Sequence, residues 1–258
     1  PARAAEICGL SVDEIEALAT AYGRTKKAAI RLNYGMQRHG GGGMATRTIA
    51  CLPALTGAWR EASGGLLLST SGAYPMNLAY LERPDLMPRV DGKLPRMVNM
   101  NQLGEALASE TAPIKALFVY NSNPAAVAPD GNEVLRGLAR EDLFTVVHDI
   151  FVTDTARYAD IVLPATTSPE HDDVNRSYGH YDIVLNRRAI DPVGESLPNT
   201  ELFRRLAKAM GLTDPCFDES DESMIRHAFE WSHPSLAAAS FEALERNGVL
   251  RLNYPKRD

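Results

Sequence analysis

Cysteine is scarce and scattered: Cys8, Cys51 and Cys216 are the only three in 258 residues, and no two form a CxxC pair. Zinc sites and iron–sulfur clusters need thiolates at short, regular spacing, so neither is expected within this stretch, and the three thiols read as packed side chains. Basic runs are equally short. No Lys/Arg run exceeds a pair, and 27 Lys and Arg face 33 Asp and Glu for a formal charge of −6. That balance gives no clustered positive potential, so no nucleic-acid partner and no acidic membrane face is expected. No apolar stretch approaches the roughly 20 residues of a bilayer span, and the start lacks the basic and apolar regions of a secretory signal. There is no Walker loop and no GxGxxG motif. The longest low-complexity tract, Gly40 to Gly43, reads either as a flexible turn or as a phosphate cradle built from backbone amides.

What is present is the composition of a globular α/β protein, with 45% hydrophobic and 23% charged residues. Ser11 and Glu14 form a capping box, and Val12, Ile15, Leu18, Ala19 and Tyr22 recur at helical spacing up to Gly23. Residues 28–34 read as a short strand leading into the glycine-rich turn, and 44–55 as a second helix. Residues 64–95 are rich in Gly, Ser and Pro and read as an irregular crossing between two lobes.

Beyond that crossing, short apolar runs alternate with amphipathic helices. A helix at 100–109 is followed by a strand at 114–120, a helix at 133–140, a strand at 144–147, a helical turn at 153–158 and a strand at 160–163. A helix over 200–210, capped by Thr200, comes next. Near-continuous apolar strands separated by helices predict a doubly wound, mostly parallel sheet with helices on both faces. The last part reads as a helical tail, with helices around 222–230 and 236–246 and a final strand at 248–252 that has no obvious partner.

In an open parallel sheet, ligands bind beyond the carboxyl ends of the strands. Those ends carry Asn121, Ser122 and Asn123, then His148 and Asp149, then Thr166 and Thr167. Amides and hydroxyls suit phosphate, and a strand-end carboxylate such as Asp149 suits ribose or a guanine N–H edge; the plainer reading is that these residues make turns. A second cluster, Glu170-His171-Asp172-Asp173 with His180, permits a metal site, a hydrogen-bonded loop or a metal-free ligand contact.

Four linked patterns also resemble a known family. They are Tyr34-Gly35-Met36-Gln37-Arg38-His39 with Leu55-Thr56-Gly57, then Asn121-Ser122-Asn123-Pro124, then residues 148–156 from His148-Asp149. The fourth is Tyr158-Ala159-Asp160-Ile161-Val162-Leu163-Pro164-Ala165 leading to Glu170. Together they are similar to molybdopterin oxidoreductases of the dimethyl sulfoxide reductase family, in the same order and across residues 1 to 212.

The resemblance implies a two-electron or oxygen-atom-transfer enzyme carrying molybdenum or tungsten on two molybdopterin guanine dinucleotides. It implies that 1–72 is the end of one α/β lobe, 73–212 most of a Rossmann-like dinucleotide-binding lobe, and 213–258 a tail joining an outer domain. Tyr34 and Arg38 would then approach a pterin, with Asn121, Ser122 and Asn123 along one dinucleotide and His148 and Asp149 at its guanosine end. His171 would meet a phosphate or pterin edge, and Asn199 the far side. Arg38 and His171 depart from the commoner Gln and Lys of the family. No residue here is implied as a metal ligand or as catalytic.

On this reading the chain is a central segment, inactive alone, whose partners are the rest of the same polypeptide, a small redox substrate and an electron-transfer subunit. Any iron–sulfur cluster would lie ahead of it. A cytoplasmic location is expected, with a periplasmic one open because any signal would precede Pro1. The run after Gly65 lacks the Arg-Gly-Gln-Asn-Asn pattern of formate dehydrogenases. Two other readings stay open: a stand-alone nucleotide-binding module, and a metal-dependent hydrolase built on Glu170 to Asp173.

Overall fold

Local signals close to the backbone hold well in the computed structural model, which describes residues 1–89, 91–237 and 239–254. After a short α1 (Ala2–Cys8), the Ser11 hydroxyl accepts from the Glu14 N–H at 3.2 Å while the Glu14 carboxylate accepts from the Ser11 N–H at 2.8 Å, and α2 (Val12–Arg24) follows. The strand expected at 28–34 is shorter. Strand β1 (Ala29–Arg31) stops because the Asn33 side chain accepts from the Tyr34 N–H at 2.8 Å and caps a tight turn over Tyr34–Gln37. After α3 (Gly42–Thr56) the chain forms β2 (Gly65–Leu67), parallel to β1. The stretch expected to be wholly irregular thus opens with a strand, since Leu66 and Leu67 find a ready-made partner edge.

After α4 (Leu78–Glu82) and α5 (Leu103–Ala108) comes the main sheet: β3 (Ala116–Tyr120), β4 (Phe144–Asp149) and β5 (Ile161–Pro164), all parallel in that order. Between β3 and β4 lie α6 (Pro124–Val127) and α7 (Gly131–Leu138); between β4 and β5 there is only a tight turn, Thr155–Tyr158. Side chains alternate across the sheet. On one face Leu117 packs against Leu107, Val134, Leu138 and Leu143, bringing in α5 and α7. On the other, Phe118 and Tyr120 meet Phe203 of α8 (Asn199–Ala209), with ring centroids at 5.5 and 5.1 Å. Helices therefore cover both faces, as the strand pattern predicted.

The rest departs further from expectation. Strands β6 (Asp173–Arg176) and β7 (Asp182–Asn186) form an antiparallel sheet, and the final strand β8 (Val249–Arg251) does have a partner, pairing antiparallel with β7. Its core joins Ile183 and Leu185 to Tyr74, Phe229, Leu236 and Leu244.

The tail helices are short. α9 (Asp221–His227) ends because Phe229 bridges to Met76 and the Glu230 N–H donates to the Pro75 carbonyl at 2.9 Å. α10 (Phe241–Asn247) begins only where Ser240 accepts from the Ala243 N–H at 3.2 Å.

No helix among the described residues is long and apolar enough to cross a membrane. The accessible surface, 17454 Å², is well above the roughly 11,000 Å² that surface scaling gives a compact monomer of 28.2 kDa. Leu55 and Phe151 are 82% and 74% exposed, so apolar faces lie open on both the N-terminal unit and the main sheet's rim.

Candidate functional site

Because β3, β4 and β5 are parallel neighbours, their carboxyl ends share one edge. Asn121 follows β3 directly and turns the chain with φ +52, a left-handed conformation that Asn tolerates better than most residues. Asp149 ends β4, and Thr166 lies two residues beyond β5.

A long-range contact completes the rim. Leu197 runs parallel beside Ala165, its N–H donating to the Pro164 carbonyl at 3.1 Å and its carbonyl accepting from the Thr166 N–H at 3.2 Å. This carries the start of α8 to the strand ends. A cleft of about 440 Å³ results, lined by Asn121, Thr166, His171, Asn199 and Thr200, with Met224 on its apolar wall.

The cleft is rich in donors. α8 begins after Pro198 with no side-chain cap, so its first amide N–H groups and its positive dipole end meet the cavity at Asn199 and Thr200. Thr200 was expected to cap this helix; Asn199 and Thr200 instead lie inside its first turn, because Pro198 takes the extended conformation ahead of them. His171 is pinned by a 2.9 Å hydrogen bond between its Nδ1 and the Thr166 hydroxyl, while its Nε2 lies 3.9 Å from Asp173. The carboxylates of the wall are largely engaged, Asp221 with Arg204 at 2.9 Å and Asp172 with Arg187 at 3.2 Å.

The other candidates are spread more widely. Ser122 is exposed at the loop tip, and Asp149 is half-buried with its carboxylate accepting from the Phe151 N–H at 3.1 Å. Asn123 faces inward, bonded to Asp154 and Thr155. His148 is fully buried in the sheet, its Nδ1 3.1 Å from the Leu163 carbonyl and its Nε2 without a partner among the described residues.

Tyr34 and Arg38 are apart from the cleft lining. Tyr34 sits 6.5 Å, ring to ring, from Tyr178, and hydrogen bonds from the Ser69 side chain and then Tyr178 hold its hydroxyl below the usual tyrosine range. Arg38 is exposed at the end of its turn.

Glu170 is buried and fully used. Its carboxylate accepts from the Thr167 hydroxyl at 2.5 Å, the Thr167 N–H at 2.6 Å and the Val193 N–H at 2.6 Å, and these bonds, the Thr167 hydroxyl foremost, hold its pKa below the usual carboxylate value. Among the described residues no cluster of His, Cys, Asp or Glu is arranged to hold a metal.

Sequence reasoning missed Thr200 and the wall formed by Leu81, Met224 and Ile225. A proline ahead of an amphipathic helix is a helix-start signal that would have flagged the first; the wall had none, since it depends on the bridge between Met76 and Phe229.

The fold defines an α/β protein with a cleft beyond the carboxyl ends of a parallel sheet, the place where ligands bind in open α/β sheets. The chain belongs to the molybdopterin oxidoreductase family, whose model matches residues 4–209. Membership implies a molybdenum or tungsten pterin cofactor.

Over 257 residues the chain is 47% identical to the probable oxidoreductase YoaE of Bacillus subtilis (strain 168), covering 99% of this chain and 37% of that protein. It is 27% identical to the dimethyl sulfoxide reductase DmsA of Escherichia coli (strain K12), covering 99% and 34%. With the F420-dependent formate dehydrogenase subunit alpha of Methanocaldococcus jannaschii it shares 28% identity, covering 96% and 39%. Among solved structures, acetylene hydratase from Pelobacter acetylenicus matches with a TM-score of 0.50 and 27% identity, over 62% of this chain and 21% of that one. The chain spans between 34% and 39% of these curated relatives.

Proposed function

We propose that this chain supplies one wall of the binding site for a molybdopterin guanine dinucleotide in a two-electron oxidoreductase that carries two such groups. The observation that carries this reading is the shared cleft. Asn121, Thr166, His171 and Asn199 come from three separate segments yet line one cavity at the strand ends. Its uncapped helix start and its amide and hydroxyl donors suit the pyrophosphate and polar edges of a pterin dinucleotide.

In this reading Asn121 and Ser122 lie along the dinucleotide and Asn123 holds their loop. Asp149 accepts from the guanine N–H edge, His171 meets a phosphate, and Asn199 closes the far side. His148 supports Asp149 from within the sheet. Tyr34 and Arg38 serve a pterin on the N-terminal unit. When bound, the metal–pterin group supplies the two-electron or oxygen-atom-transfer chemistry; these residues bind and orient it and exclude water from its phosphates.

The division at 72 and 212 belongs to the same proposal, with the last segment tied to the second through β8. The metal-ligating side chain, any iron–sulfur cluster and an electron-transfer partner are assigned to polypeptide outside these residues, and activity of this segment alone is not expected. The large open apolar surface favours this reading over a stand-alone nucleotide-binding module. Protein expressed from its complete gene should release guanine nucleotide, pterin and molybdenum or tungsten in stoichiometric amounts on denaturation. Finding none of these after expression in a host that makes the cofactor overturns the proposal.

A further inference from the structure

A second cavity adjoins the cleft across the start of α8. About 560 Å³ in volume, it is walled by Tyr80, Tyr120, Phe203 and Phe217 with Met87 and Met224, and Asn199 and Thr200 border both spaces. A volume of this order suits a small ligand, and ring faces attract cations through their quadrupole.

The charges point the same way. The two guanidiniums on the wall are already held, Arg83 by Asp85 at 2.7 Å, and Arg204 by Glu201 at 3.2 Å and Asp221 at 2.9 Å. Glu82 and Glu219 also line the cavity; Glu201 is shared with Arg205 at 2.7 Å, so with those partners three guanidiniums stand against five carboxylates.

Glu219 differs from the paired acids. One carboxylate oxygen, Oε1, accepts from the Tyr80 hydroxyl and from the Ser223 hydroxyl at 2.5 Å. The other, Oε2, has no donor among the described residues. Among the described residues the nearest basic side chain is His227, with Nδ1 3.7 Å from Oε1. The Glu219 side chain is only 19% exposed, and Arg204 reaches its backbone carbonyl at 2.8 Å rather than its carboxylate, so a half-buried carboxylate without an ammonium or guanidinium partner among the described residues faces an aromatic space.

We propose that this cavity binds a small organic cation, an alkylammonium whose charge lies at Glu219 and whose carbon body rests against Tyr80, Tyr120, Phe203 and Phe217. The site needs no pterin and stands independently of the cofactor reading.

The test is calorimetric titration of protein expressed from its complete gene with choline and, separately, with its uncharged carbon isostere dimethylbutanol. Choline should bind saturably and at least about tenfold more tightly than the isostere, and Glu219→Gln should weaken choline by at least about tenfold. If the variant proves misfolded by circular dichroism, the contrast between the two probes on the unaltered protein decides. No saturable choline binding, equal affinity for both probes, or unchanged affinity in a folded Glu219→Gln protein overturns the proposal.

Discussion

The side-chain carbonyl of Asn123 accepts two hydrogen bonds from Thr155, one from its N–H at 3.1 Å and one from its hydroxyl at 2.8 Å. The Thr155 hydroxyl in turn accepts from the Ala125 N–H at 3.0 Å. The loops that leave β3 and β4 are thereby latched together, which sets where Asn121 and Asp149 stand on the rim.

Thr155→Val keeps the shape and removes the hydroxyl, leaving the Ala125 N–H unsatisfied beside a fully buried side chain. It should cost about 1–3 kcal/mol in urea unfolding. Thr155→Ser should recover most of that loss; equal losses in both variants would show that methyl packing, not the latch, matters.

Asp149→Ala should lower guanine and metal content severalfold while shifting stability by no more than about 0.5 kcal/mol, because among the described residues this half-buried carboxylate bonds only a loop N–H. Cofactor content measured beside thermal melting on protein from the complete gene checks this. Unchanged content removes Asp149 from the site.

Glu170 carries a pH dependence. Hydrogen bonds from Thr167 and Val193 hold its folded pKa below the unfolded value of about 4.3. Between the two values the unfolded chain binds more protons, so this contribution is complete above about pH 4.3 and fades as pH falls through the folded pKa. Stability measured against pH should lose part of its acid-side slope in Glu170→Gln. An identical slope would mean that other carboxylates set it.

The glycine run separates into different roles. A Cβ on Gly42 would lie 2.8 Å from the backbone of Gln37, whereas one on Gly43 would meet nothing. Gly42→Ala should therefore destabilise by about 1–3 kcal/mol, and Gly43→Ala, inside α3, should be neutral or stabilise by up to about 1 kcal/mol. Measured unfolding free energies of the two variants test the assignment; equal effects would contradict it.

The parallel sheet was legible because β3, β4 and β5 are near-continuous apolar runs ended by Asn121, Asp149 and Pro164, and such runs need no long-range information to be recognised. Strands β6 and β7 were not. Asp173–Arg176 is mostly polar and exposed, and becomes a strand only because β7 offers a partner whose Ile183 and Leu185 enter the core. The Ser11 and Glu14 cap was visible for the opposite reason, since both of its partners lie within one helical turn.

Much the same boundary runs through the site. Residue order alone determined the family pattern, the strand ends and most of the polar groups they deliver, because these rest on spacing along the chain. Tertiary structure alone decided that His171 and Asn199 meet Asn121 and Thr166, that His148 is sealed in the sheet, and that Tyr34 and Arg38 lie elsewhere. Those outcomes depend on Leu197 pairing beside Ala165 and on Phe203 packing against Phe118 and Tyr120. Such contacts join segments tens of residues apart, and which faces of the sheet and helices meet is decided by packing rather than by local pattern.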